Sequence, residues 1–382
     1  MGKPLLMAFF AVLTIPLSTA VAQHVSAARQ DFDQLMQSAE TARNENRDDE
    51  AIQLFRRALS QKPESEQALW YLGTLLYEKE QYADARDVLR QFMTVRNDAG
   101  PGWVLLGICE FQLREYPRAL DHLRRAMAQG VGDRKELAQL ARYYSAVLLA
   151  RFERYDESME VLASSSPDSS LIEPAGLAGL RLPLLPAELP SGRAELVGLA
   201  GKAVLAVQAE HSEEAESAFK RLLAAYPNEP GVHFLYGAFL ARQHPDDAVP
   251  QFERELEISP SHFVARVRLA EQLIARGEFD RALQLAEEAI QLDPKRASAH
   301  AFAGEALIGK GQSADGIKEL EAACAADPSV SRVHWDLMRA YAAAGRKQDA
   351  DREKQEMEKL LHADVSSPST EPATSPRDSP AK

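Results

Sequence analysis

Ala282-Leu283-Gln284-Leu285-Ala286-Glu287-Glu288-Ala289-Ile290-Gln291-Leu292-Asp293-Pro294 is the stretch that decides the fold. Its small residues Ala282, Ala286 and Ala289 fall four and three apart, and Pro294 follows five residues later. Residues at those intervals share one face of an α-helix, so the three alanines form a stripe that a second helix can approach closely. Proline then ends the helix, because its ring cannot follow a helical turn, and it suits the start of the next element. The spacing returns in Ala51, Phe55, Ala58, Pro63 and in Ala215, Phe219, Leu222, Pro227. It returns again in Ala248, Phe252, Glu255, Pro260 and in Gly316, Leu320, Ala323, Pro328. Pro260, Pro294 and Pro328 are 34 residues apart, and Pro227 precedes Pro260 by 33.

Ahead of the stripes run further apolar segments, such as Leu69-Trp70-Tyr71-Leu72-Gly73 and Trp103-Val104-Leu105-Leu106-Gly107. Each period therefore holds two short antiparallel helices, with glycine permitting close backbone contact. Trp103, Leu106 and Gly107, with Ala51, Phe55 and Pro63, make the chain resemble the tetratricopeptide repeat family, whose pattern is W-x2-L-G-x2-Y, then A-x3-F, then P. Tyr236-Gly237 and Ala303-Gly304 match in part. The resemblance implies an all-α, right-handed superhelical solenoid of about nine helical hairpins. The repeats are expected at 32–65, 66–99, 100–133 and 139–170, then at 196–229, 230–262, 263–296, 297–330 and 331–364. Ser158 in the fourth, Asn97 in the second and Lys354 in the ninth depart from the pattern.

The domain reading follows from these units. Residues 1–22 carry Lys3, an apolar run from Leu5 to Leu17, and Ala20-Val21-Ala22 ahead of Gln23. That is the anatomy of a cleaved secretory signal peptide, and the run is too short to anchor in a bilayer. The expectation is an exported chain, periplasmic or extracellular, with no membrane insertion after cleavage. Repeats fill a first block at 32–170 and a second at 196–364. Between them, 171–195 reads as a Pro-rich irregular connector with a degenerate helix near Leu177. The Ser, Thr and Pro-rich residues 365–382 read as a disordered tail.

Composition sets limits on function. The 382 residues carry a formal net charge of -13, which disfavours phosphate backbones and anionic lipid as partners. No catalytic constellation is expected. Gly304, Gly309 and Lys310 imitate a phosphate loop, but Gly311 stands where Ser or Thr would hold magnesium, and no strand precedes it. His233, His300 and His334 occupy the fourth place of their repeats and read as packing residues; no pair of ligands stands one helical turn apart, so neither metal nor cofactor is expected. Cys109 and Cys324 read as small buried helix residues.

What remains is a surface. In the resembled family, places two, five, nine, twelve and thirteen of each repeat meet a peptide. Carried over, they include Trp70, Thr74 and Tyr77, then Val104, Ile108 and Phe111, then Tyr143 and Arg151, and finally Trp335 and Arg339. The implied function is a non-catalytic scaffold binding protein or peptide partners, in envelope assembly or secretion; an accessory subunit presenting substrate to a separate envelope enzyme is the other reading.

Overall fold

The computed structural model describes residues 17–164, 166 and 168–366, with side chains from 31 to 362. The expected leader and tail lie outside these residues, except that 17–22 and 365–366 are helical. Among the described residues the architecture is all-α. Four hairpins come first: α1 (Leu17–Asn44) with α2 (Asp48–Gln61), α3 (Glu66–Glu78) with α4 (Tyr82–Val95), α5 (Gly100–Gln112) with α6 (Tyr116–Gln129), and α7 (Lys135–Arg151) with α8 (Tyr155–Ala163). An unpaired α9 (Ile172–Gly179) follows and contains Leu177, between short 3-10 turns at Ser169–Leu171 and Pro186–Glu188. Five hairpins complete the chain: α10 (Arg193–Gln208) with α11 (Ser212–Ala225), α12 (Val232–Gln243) with α13 (Pro245–Ile258), α14 (Phe263–Ala275) with α15 (Phe279–Leu292), α16 (Ala297–Gly309) with α17 (Ser313–Ala326), and α18 (Ser331–Ala343) with α19 (Lys347–Ser366). The chain divides into two compact units between Arg193 and Ala194, an N-terminal one holding α1 to α9 and a C-terminal one.

Within a hairpin the turn is set by one left-handed residue. Asn46, Glu80, Arg114 and Glu153 take φ of 58°, 57°, 61° and 60° in the N-terminal unit; Gly277, Gly311 and Gly345 take 77°, 81° and 74° in the other. The next N–H then reaches back five residues: Gln81 donates to the Leu76 carbonyl at 2.9 Å, and Gln312 to that of Leu307 at 2.9 Å. These are Schellman closures, which satisfy carbonyls that the helix end would leave open. Gly311 thus ends a helix, and Gly304 lies inside it, so the glycine-rich stretch at 304–311 is no phosphate loop. Between α12 and α13 the left-handed residue is missing, and His244 at φ -137° leads straight into Pro245, which accounts for the 33-residue step.

Successive hairpins are tied by the residue at the fourth place of the first helix. Trp103 Nε1 donates to the Asn97 carbonyl six residues back at 2.9 Å, and Arg266 Nη2 to that of Pro260 at 2.5 Å. His233, His300 and His334 each direct Nε2 to the matching proline carbonyl, Pro227, Pro294 and Pro328, at 3.0, 3.1 and 2.9 Å. The histidines are therefore more than packing residues: each holds the otherwise open end of the preceding hairpin. Two polar residues on the buried stripes have local causes. Buried Ser158 donates to the Ala146 carbonyl at 2.9 Å. Buried Glu255 accepts the N–H groups of Gly231 at 2.8 Å and Phe234 at 3.2 Å, capping the start of α12; its desolvation there pushes its carboxyl pKa up.

Candidate functional site

In the N-terminal unit a pocket of about 370 Å³ opens beside Trp70. Gln67 and Trp70 of α3, Phe92 of α4, Pro101 of α5 and Arg134 just ahead of α7 line it, so three helices and the start of a fourth fix its walls. The Trp70 ring leans on Phe92 at 5.3 Å between centroids, and the Arg134 guanidinium stands 5.2 Å above it. Glu66 also borders the opening, held by Arg96 at 2.7 Å. The site offers an aromatic wall, a cation and a carboxylate within one recess. Such a recess suits an apolar side chain flanked by polar backbone or a carboxylate.

The other residues expected to face a ligand are placed unevenly. Val104 and Ile108 are 0% and 1% exposed, inside the hydrophobic core. Neither can meet a partner, which corrects the expectation for both. The reason lies in α5, which is apolar on every side and is enclosed by α4, α6 and α7. Tyr77 and Phe111 are half-buried against the same core: Tyr77 meets Tyr82 edge-on at 6.2 Å, and Phe111 meets Tyr144 at 4.7 Å. Burial pushes the Tyr77 phenol up to about 12. Tyr143 donates its hydroxyl to Glu173 of α9 at 3.1 Å, and Arg151 Nη1 donates to the Pro183 carbonyl at 2.7 Å. Both residues thus hold the segment that contains α9. Thr74 donates to the Tyr71 carbonyl of its own helix at 3.0 Å. Trp335, 45% exposed, and Arg339 lie open on α18.

Two side-chain clusters in the C-terminal unit were not foreseen. Glu305 of α16 and Asp336 of α18 stand together beside Arg332, which donates to Glu305 at 3.1 Å and lies 3.5 Å from Asp336 Oδ2. Burial first, and then the Asp336 charge, pushes Glu305 up to about 7, so the two carboxyls share a proton near neutrality. The second cluster is Cys324, His334 and Glu353, whose ligand atoms lie within 4.8 Å of one another. These potential metal ligands come from three helices, so the absence of a pair one helical turn apart says nothing about them. Cys324 is also only partly buried, unlike Cys109, and both are free thiols. The fixed repeat places of Glu305, Asp336 and these three residues were the available sequence signal.

Among the described residues no helix is long and apolar enough to cross a membrane. Comparison with family profiles matches tetratricopeptide repeat descriptions at 104–169 with 201–260, and at 239–305. Profiles described as anaphase-promoting complex, cyclosome, subunit 3 and as bacterial transcriptional activator domain match 44–126 and 285–376. Comparison with curated proteins yields no match. Among solved structures, MamA 41-end from Desulfovibrio magneticus RS-1 is 24% identical, covering 47% of this chain and 99% of its own, at a TM-score of 0.39. A MamA RS-1 double mutant is 23% identical, covering 46% and 98%, at 0.41. Hairpins of 34-residue period, Schellman turns and the matched segments together make this chain a tetratricopeptide-repeat protein, an interaction scaffold by class.

Proposed function

We propose that the chain is an exported, non-catalytic scaffold that captures a partner protein through an extended segment anchored at Trp70. The pocket carries this reading: an aromatic ring, a guanidinium and a carboxylate border one recess of about 370 Å³ framed by α3, α4, α5 and the start of α7. An apolar side chain seated on Trp70 would supply most of the binding free energy, and Arg134 would select a neighbouring carboxylate. Export rests on the apolar run and the Ala20-Val21-Ala22 signature of the leader.

The test is a photo-crosslinking residue at Gln67, on the pocket rim, in the full chain expressed with its leader. The expected result is one dominant adduct outside the cytoplasm, lost in Trp70→Ala and weakened in Arg134→Ala, with N-terminal sequencing of the adducted chain starting at Gln23. An adduct undiminished by Trp70→Ala sinks the pocket, and sequencing that starts at Met1 sinks export.

A further inference from the structure

We propose that Cys324, His334 and Glu353 form a binding site for a zinc-class divalent metal ion. Cys324 belongs to α17, His334 to α18 and Glu353 to α19. The Cys324 Sγ lies 4.0 Å from His334 Nδ1, and Glu353 Oε2 lies 2.8 Å from that same nitrogen. His334 and Glu353 are each more than nine-tenths buried, while the thiol is partly exposed and gives an ion a way in. A sulfur, an imidazole nitrogen and a carboxylate oxygen are the donor set that zinc prefers, with a fourth position left for water.

The imidazole is already oriented as a ligand. His334 Nε2 donates to the Pro328 carbonyl at 2.9 Å, which leaves Nδ1 facing Glu353, while the Cys324 sulfur stands beside the ring, 4.0 Å from Nδ1 and 3.9 Å from Nε2. Metal-bound histidines commonly use their second nitrogen in this way. Ligand atoms around tetrahedral zinc are separated by roughly 3.3–3.8 Å, given bond lengths of about 2.0–2.3 Å. The Glu353 oxygen must therefore retreat and the sulfur approach by about half an ångström each, small side-chain movements on the same backbone.

The molecule contains its own controls. His233 and His300 make the same proline carbonyl bond, and Nδ1 of each meets a side-chain oxygen, of Gln251 at 2.8 Å and of Glu319 at 2.7 Å. Ten residues before each histidine stand Leu223 and Ile290, where the third clamp has Cys324. A clamp between hairpins needs only the histidine and its two acceptors. Cys324 adds a third ligand at one clamp of three. A cation seated among the three groups displaces the thiol proton, so binding weakens as pH falls. Arg352 Nε, 3.3 Å from Glu353 Oε1, is the opposing cation that the ion must outweigh.

Cobalt(II) titration of the reduced full-length protein reads the site directly. One equivalent should give a thiolate-to-cobalt charge-transfer band in the near ultraviolet and the visible bands of a tetrahedral ion, both abolished by zinc. Cys324→Ser should remove the charge-transfer band while leaving the metal-free melting profile unchanged. Glu353→Gln should weaken binding by roughly tenfold or more. Cys109→Ser and His300→Gln should leave the band intact. A protein without a thiolate band, or a band that survives Cys324→Ser, overturns the proposal.

Discussion

The third hairpin, α5 with α6, and the eighth, α16 with α17, occupy the same repeat register and solve the same packing problem with different materials. Both keep a buried leucine at one matching place, Leu123 and Leu320, but the third has Leu106 and Ala119 where the eighth has Ala303 and Gly316, smaller residues that let its helices come closer. At the fourth place Trp103 is 9% exposed and stacks on His122 at 4.9 Å, whereas His300 bonds Glu319. The turn is left-handed in both, at Arg114 in one and at Gly311 in the other. The repeat fixes where the backbone goes and leaves the choice between bulk and close approach to the individual hairpin.

Truncation should separate the two most strongly. Trp103→Ala removes a large buried ring and its bond to Asn97, and is expected to destabilise by about 3–5 kcal/mol. His300→Ala loses two hydrogen bonds but little volume, for about 1–3 kcal/mol. Native-state hydrogen exchange read hairpin by hairpin measures both, since a repeat array need not unfold in one step. Equal losses at the two positions would mean that the fourth place acts only as a clamp.

Enlargement should act the other way. A Cβ on Gly304 would stand 2.8 Å from the backbone oxygen of Gly316, which cannot step aside without moving α17. A Cβ on Gly107 meets first the Leu123 side chain at 2.7 Å, which can rotate. Gly304→Ala is expected to destabilise by about 2–3 kcal/mol and Gly107→Ala by about 1 kcal/mol. The same exchange measurement decides the order, and a reversed order would contradict the close-approach account of the eighth hairpin.

These contrasts mark what the sequence makes legible. The stripe Ala282, Ala286, Ala289 and its proline reveal the hairpins, because helix periodicity and termination are local properties. The placement of Trp70 on an open recess needed the family register as well as the residues. Val104 and Ile108 could not be read correctly from that register, because burial of α5 depends on three neighbouring helices. His300 and His334 showed their places in the repeat but not their partners, which lie six residues back and nineteen ahead. Cys324 joined them only once α17, α18 and α19 were stacked.

A pH dependence belongs to the C-terminal unit alone in this comparison. Glu305 has its pKa raised by burial and by Asp336, from 4.5 to about 7. A raised carboxyl favours the folded state while protonated, so its contribution is fully present below about pH 4.5 and is lost as pH rises through about 7. Glu305→Gln removes that loss. The variant should gain about 1–2 kcal/mol over the parent at pH 8 and nothing at pH 4, in urea unfolding followed at the C-terminal hairpins. A gain that is the same at both pH values would show that the shared proton has no part in it.

The smallest expected effect tests the turns. Arg114 and Gly311 close their hairpins at φ of 61° and 81°, and only glycine adopts that region without crowding its own carbonyl. A side chain there costs about 1–2 kcal/mol of strain, while glycine gives back about 0.5–1 kcal/mol through the larger entropy of its unfolded chain. Arg114→Gly should therefore stabilise the third hairpin by about 0.5–1 kcal/mol, and Gly311→Ala should destabilise the eighth by a similar amount. Nothing lies within 4 Å of a Cβ built on Gly311, so a steric clash with a neighbour does not enter the second value. Thermal melting of both variants beside the parent checks the pair. If Arg114→Gly lowers stability, the arginine side chain makes contacts that outweigh its backbone strain, and the two turns are not equivalent after all.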